Sequence, residues 1–154
     1  MALTIEIPGR PQLAIEHLLL DLNGTLTDRG ALIDGVAERL SQLERQLNLH
    51  ALSADTFGTL DELASELHIS AQRISSGAEK RAFLEALGPQ RCAAIGNGTN
   101  DVSMLGAAAL GIAVIGPEGA SLAALTAADV VCRSILEALD LLLDERAIVA
   151  TLRA

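Results

Sequence analysis

His17-Leu18-Leu19-Leu20-Asp21-Leu22-Asn23-Gly24-Thr25-Leu26-Thr27 is the stretch whose reading decides the fold. Leu18 to Leu20 is a short apolar run of the kind that forms a buried strand. It ends on Asp21, and Asn23-Gly24 then turns the chain. In an open parallel sheet, ligands bind in the crevice outside the carboxyl ends of the strands. Asp21 therefore falls where a reactive carboxylate would be placed. The same residues also suit a strand followed by an ordinary turn, since Asp and Asn are common turn formers. The surrounding sequence has to separate the two readings.

A chain of 154 residues fits one domain with a real core. Half of its residues are hydrophobic, but only Phe57 and Phe83 are aromatic, so the core must come from Leu, Ile, Val and Ala. No apolar run reaches the ~18 residues a membrane span needs. No signal peptide is evident either, and a cytoplasmic location is expected. Cys92 and Cys132 both lie in apolar, strand-like runs and read as core thiols rather than a disulfide scaffold. A net charge of -9 argues against nucleic acid as a partner, because phosphate backbones call for a basic face. A small phosphorylated metabolite remains compatible, since it needs only local positive charge.

Strand-like and helix-like segments alternate along the chain. Strands are expected at 3–7, 17–21, 49–53, 69–74, 91–95, 110–115 and 130–132. Leu13 to Glu16 reads either as a second hairpin strand or as the lead into 17–21. Helices are expected at 34–47, 56–67, 76–87, from 101 to about 107, at 121–127 and from 134 onward. Val36, Leu40, Leu43 and Leu47 share one helical face, as do Leu60, Leu63, Ala64 and Leu67. Ser76 and Glu79 make a capping box, and Gly88-Pro89 closes that helix. The alternation predicts an α/β fold: a doubly wound, Rossmann-like parallel sheet with helices on both faces, in one domain.

Four features fall just after strands or at helix starts, and should open on one edge of that sheet. Asp21 can attack phosphorus and split a displacement into two steps. Gly24 lets the backbone turn beside it. Ser53 ends a strand and can bond a phosphoryl oxygen or simply serve a turn. Lys80 is the only lysine among eleven basic residues, which suits a compact point cation, or a solvated residue in Glu79-Lys80-Arg81. Gly96-Asn97-Gly98-Thr99-Asn100-Asp101 enters a helix; such turns present N–H groups to anions, and Asp101 can hold a metal or cap the helix.

Asp21-x-Asn-Gly-Thr-Leu-Thr, Ser53, Lys80 and Gly96-Asn-Gly-x-Asn-Asp101 resemble, in order and strand placement, the four motifs of the haloacid dehalogenase (HAD) superfamily. Gly-Asn-Gly-Thr-Asn-Asp is similar to the hinge motif in the phosphorylation domain of P-type ATPases, so the chain resembles a soluble P-type-ATPase-like HAD protein. The resemblance implies Asp21 as nucleophile and the Asn23 carbonyl as a Mg²⁺ ligand. It places Gly24, Thr25, Ser53, Lys80 and Asn100 on the substrate side, and gives metal duty to Asp21, Asn97 and Asp101.

Two positions depart from the family pattern. The general acid two residues after the nucleophile is here Asn23, and the first acid of the last motif is Asn97. An amide offers an oxygen but neither charge nor a transferable proton. Loss of acid–base help typically costs ~10²–10⁴-fold in rate. The expected activity is a slow, Mg²⁺-dependent phosphohydrolase or phosphotransferase working through a phosphoaspartate on Asp21. A non-catalytic binding or regulatory module that keeps the phosphate site is the alternative. A response-regulator receiver lacks support, since Ile15-Glu16-His17 offers one acid where receivers have a pair. No substantial cap is expected, which leaves the site open unless a second copy of the chain, in a homo-oligomer, covers it.

Overall fold

Strands whose every residue is apolar must be covered on both faces, and this requirement sets the architecture. A computed structural model describes residues 2–154. Strands β1 (Leu3–Ile5) and β2 (Leu13–Ile15) pair antiparallel as a hairpin, which settles the open reading of Leu13 to Glu16. Next come β3 (His17–Asp21), a small β4–β5 hairpin (Thr27–Asp28 and Ala31–Leu32), α1 (Val36–Leu43) and β6 (Asn48–Ser53). Then follow α2 (Leu60–Leu67), β7 (Ser70–Arg73), α3 (Gly77–Leu87), β8 (Cys92–Gly96) and α4 (Val102–Ala107). The chain closes with β9 (Leu110–Val114), α5 (Leu122–Ala127), β10 (Val130–Cys132), α6 (Ile135–Leu143) and α7 (Glu145–Leu152).

Six strands form one parallel sheet in the order β10-β9-β8-β3-β6-β7. Successive side chains of β3 point to opposite faces. Leu18 and Leu20 join the larger core, which takes Val36, Leu40 and Leu43 of α1, Leu60, Leu63 and Leu67 of α2, and Ile135, Leu139 and Leu142 of α6. Leu19 joins the second core with Leu84 of α3, Met104 and Leu105 of α4, and Ala124 of α5. The doubly wound sheet is therefore present, with helices on both faces. From β3 the chain runs outward through β6 to β7, then returns to the other side of β3 as β8. This reversal places the ends of β3 and β8 at the topological switch point, the preferred ligand crevice of such sheets.

Where the structure departs from the sequence pattern, a local cause is visible. Residues 69–74 form an edge strand, not a core one: Ser70–Arg73 are exposed or half-buried, Ala71 packs only partly buried against the larger core, and the flanking Ile69 and Ile74 are buried. The β4–β5 hairpin turns at Arg29 and Gly30, with φ of 50° and 87°. Two successive positive φ values suit a type I′ turn, usually written Asn-Gly, so Arg-Gly hides it. The apolar tail splits into α6 and α7 at Asp144, whose carboxylate accepts from the Arg146 N–H at 3.2 Å. Leu136, Leu141, Leu143, Val149 and Leu152 pack partly buried against the larger core, so much of the tail's all-round apolar character is met within this chain. Cys92 and Cys132 are buried free thiols, and burial pushes both up to about 11. Among the described residues no helix is long and apolar enough to cross a membrane.

Candidate active site

Asp21 ends β3 on the face covered by α3, and this parity lets Lys80 reach it. The α3 N-terminus is fixed by Ser76, whose hydroxyl accepts from the Glu79 N–H at 3.2 Å. Lys80 lies one turn inside that helix and is 1% exposed, so its ammonium needs partners in the interior. It donates to Asp21 Oδ1 at 2.9 Å and to Asp101 Oδ1 at 2.7 Å. The solvated reading of Lys80 is thereby excluded: the one lysine of the chain is a buried bridge between two carboxylates.

Asp101 is held from its other side. Its Oδ2 accepts from the Asn97 and Gly98 N–H groups, both at 3.0 Å. A Cβ on Gly96 would lie 2.5 Å from this carboxylate, so the close approach requires glycine there. The Thr25 hydroxyl lies 3.0 Å from Asp21 Oδ2 and 3.3 Å from Asn97 Oδ1, and its one proton serves either acceptor. The Asn97 Nδ2 donates to the Gly119 carbonyl at 3.0 Å. Gly119 O can only accept, so the amide nitrogen must face it, and the orientation of Asn97 is fixed.

The charges decide the chemistry. Burial and the neighbouring Asp101 carboxylate push Asp21 up to about 6, against the opposing pull of Lys80 and the Thr25 hydroxyl. Burial opposes the Lys80 charge, but Asp21 and Asp101 together hold it above the usual lysine range. Two carboxylates thus share one buried cation, and the surplus negative charge favours a further cation.

A cavity of about 360 Å³ opens over this floor, lined by Asp21, Asn23, Ser53, Lys80, Asn97 and Asn100 among others. Ser53 accepts from the Asp55 N–H at 2.9 Å and, more weakly, from Asn23 Nδ2 at 3.4 Å, which leaves its own proton available to donate. Asn23 Oδ1 is a buried acceptor without a hydrogen-bond partner. Gly24 has a φ of 77°. Asn100 is exposed at the rim. The structure therefore brings Asp21, Asn23, Gly24, Thr25, Ser53, Lys80, Asn97, Asn100 and Asp101 to one edge of the sheet.

The sequence reading missed one wall of the cavity. Thr56 and the segment Glu118 to Ser121 also line it. Glu118 belongs to the turn Gly116-Pro117-Glu118-Gly119 at the carboxyl end of β9, where Gly119 N–H donates to Gly116 O at 2.9 Å. The signal was present in the sequence: a Pro-containing turn after a core strand, on the edge where ligands bind.

Residues 37–137 match the family described as haloacid dehalogenase-like hydrolase. An uncharacterized protein of Methanocaldococcus jannaschii is 52% identical over 60 residues, 39% of this chain and 64% of that protein, so the chain spans under two thirds of this curated relative. Among solved structures, the cobalt-bound deoxy-D-mannose-octulosonate 8-phosphate phosphatase of Haemophilus influenzae superposes with a TM-score of 0.71 at 18% identity, covering 91% of this chain and 94% of that one. The 3-deoxy-D-manno-octulosonate 8-phosphate phosphatase of Moraxella catarrhalis, in complex with magnesium ion, phosphate ion and the sugar acid, gives 0.65 at 21% identity, covering 89% and 92%. A zinc-transporting PIB-type ATPase in its E2.Pi state gives 0.65 at 25% identity over 79% of this chain and 20% of that one. The structural likenesses speak for the fold, and the family match spans well over half of the chain: it belongs to the haloacid dehalogenase-like hydrolases.

Proposed function

We propose that this chain is a Mg²⁺-dependent phosphohydrolase or phosphotransferase acting on small phosphorylated substrates through Asp21. The observation that carries the reading is the Asp21 carboxylate on the cavity floor, gripped by Lys80 on one oxygen and Thr25 on the other. This grip leaves a carboxylate oriented for in-line attack.

The residues fit a hard divalent cation. Asp21, Asp101, the Asn97 Oδ1 and the Asn23 backbone carbonyl are all oxygen donors, and the unpartnered Asn23 Oδ1 shows unmet acceptor capacity here. Among the described residues no three His, Cys, Asp or Glu side chains cluster as a metal cage. That pattern suits Mg²⁺, which takes one or two carboxylates and completes its shell with water and substrate phosphate. When bound, Mg²⁺ neutralises charge on the phosphoryl oxygens.

In the first step an Asp21 oxygen bonds to phosphorus as the bond to the leaving oxygen breaks. Lys80 and the Ser53 hydroxyl stabilise the charge on the phosphoryl oxygens. The leaving oxygen takes its proton from solvent, since the Asn23 amide has none to give. Water then attacks phosphorus and frees Asp21. The β4–β5 hairpin is the only insertion between β3 and α1. We read residues 1–154 as one domain with an N-terminal strand extension over 1–16 and no substantial cap, its open site suited to cover by a second copy in a homo-oligomer.

A second reading, a non-catalytic module with a phosphate site, is favoured by Asn23 and by the Asn97 amide tied to Gly119. A panel of phosphate esters with Mg²⁺, assayed with wild type and Asp21→Asn, tests the choice. Turnover in wild type that vanishes in the variant is expected. No turnover by either protein, with phosphate still bound, favours the module.

A further inference from the structure

The turn Gly116-Pro117-Glu118-Gly119 is docked on the motif loop after β3, backbone to backbone. A Cβ on Gly116 would collide with the Gly24 carbonyl, and a Cβ on Gly24 would collide with the Glu118 carboxylate. Glycine at 116 is what lets the two backbones touch, and the φ of 77° at Gly24 calls for glycine there. The turn is held from below by Asn97: its Nδ2 donates to Gly119 O at 3.0 Å, and its backbone carbonyl accepts from the Ser121 N–H at 2.9 Å. A carboxylate at position 97 would repel Gly119 O. The amide that departs from the family pattern therefore has a use, which is to seat this turn. Pro117 at the second position stiffens it further.

Glu118, at the third position, is presented at the lip of the cavity that Asp21 and Asn23 also line. It has no ion-pair or hydrogen-bond partner among the described residues, unlike Asp21 and Asp101, which are held in place by Lys80, Thr25 and backbone N–H groups. The chain thus lacks a carboxylate at Asn23 and carries an uncommitted one against the neighbouring Gly24, lining the same cavity.

We propose that Glu118 is the general base of the dephosphorylation step. The proposal rests on the phosphoaspartate reading above. A water oxygen forms a bond to the phosphorus held on Asp21, and the bond from phosphorus to the Asp21 oxygen breaks, returning its electron pair to the Asp21 carboxylate. The proton from water passes to the Glu118 carboxylate and from there to solvent as phosphate departs.

Labelling with radioactive acetyl phosphate and Mg²⁺, followed by a chase with unlabelled reagent, separates formation of the phosphoenzyme from its decay. Glu118 is exposed, so Glu118→Gln leaves the core intact. This variant should take up label as wild type does and release it about 100-fold more slowly, the lower end of what a general base contributes. Adding Asn23→Asp to Glu118→Gln should restore release at least to the wild-type rate, because a carboxylate is then supplied from the neighbouring position of the same cavity. Label lost from Glu118→Gln at the wild-type rate overturns the base role while leaving Asp21 as nucleophile. Slow release that persists in the double variant overturns it as well. Absence of label on wild type removes the phosphoaspartate reading and this proposal together.

Discussion

The Lys80 ammonium lies 2.9 Å from the Asp21 carboxylate, and the same nitrogen reaches Asp101 at 2.7 Å. One buried cation therefore holds together the end of β3 and the turn after β8, which the sheet alone brings only side by side. Removing it leaves two carboxylates facing each other without compensation. Lys80→Met, which keeps most of the volume, should cost about 3–5 kcal/mol, the range for breaking a buried ion pair. Urea unfolding without divalent metal checks this. Added Mg²⁺ should return part of the loss, because a ligand that binds only the native state stabilises it. An unchanged midpoint would contradict the bridging role.

Asn23→Asp should raise turnover on phosphate esters. The side chain already faces the cavity, with Oδ1 unpartnered and Nδ2 only weakly bonded to Ser53 at 3.4 Å. The substitution thus adds a carboxylate where few bonds must be given up. A general acid is worth ~10²–10⁴-fold, and an increase toward the lower end is expected. Steady-state rates with a poor leaving group are the measurement. No increase, with the fold intact, would mean that proton transfer does not limit the reaction.

Asn97→Asp should act in the opposite direction on stability. The new carboxylate loses the donation to Gly119 O and stands beside Asp21 and Asp101. A buried hydrogen bond broken so that one partner is left unsatisfied costs about 1–3 kcal/mol. The deficit should shrink when Mg²⁺ is added, and thermal melts with and without the metal read both effects.

His50 sets an acid limit. It lies 3.1 Å from His17 across β3 and β6, sits edge-on to Phe83, and its Nδ1 is buried without a partner. Burial, and to a lesser extent the His17 charge, lower it from 6.5 to about 4. Glu16 and Arg91, the charged groups around His17, pull in opposite directions. The unfolded chain therefore binds this proton first as pH falls. The stability tied to neutral His50 is complete above about pH 6.5 and is lost progressively on the way down to about pH 4. His50→Leu should flatten the stability–pH curve across that window, as measured by denaturant titrations.

Asn23-Gly24 and Asn97-Gly98 are sequences prone to deamidation, which would place carboxylates at both departed positions. The fold opposes it. The reaction needs the glycine nitrogen to attack the side-chain carbonyl, and Gly24 N–H is bonded to Thr27 O while Gly98 N–H is bonded to Asp101 Oδ2, both at 3.0 Å. Peptide mass spectrometry should find both amides intact after ageing of the folded protein, and converted after ageing in denaturant.

The legible part of the fold was the part with strong periodicity. The core strands β3, β6, β8 and β9 and the capped helix α3 stand out because burial and capping restrict residue choice. The hairpin at Arg29-Gly30 was illegible because its positive φ values do not show in an Arg. The edge character of β7 escaped because Ile69 and Ile74, buried in the two cores, flank four residues that are exposed or half-buried. At the site, Asp21, Lys80 and Asp101 could be named from motif order, but their mutual contacts depend on β3 parity and helix placement. The turn that carries Glu118 was signalled by its Pro after a core strand, but its contact with the Gly24 loop was not, because nothing in the local sequence says that two glycine-bearing loops meet. That the Asn97 amide nitrogen also seats the turn at Gly119 could be read only from the position of Gly119.

The central claim is that Asp21 forms a covalent acyl phosphate. Borohydride reduces an acyl phosphate to the alcohol, so an aspartyl phosphate becomes homoserine, whereas a free carboxylate does not react. After incubation with acetyl phosphate and Mg²⁺, borohydride treatment and peptide mass spectrometry should find homoserine at position 21 and at no other acidic residue. Homoserine absent from position 21, in a sample that turns over phosphate esters, would contradict the account.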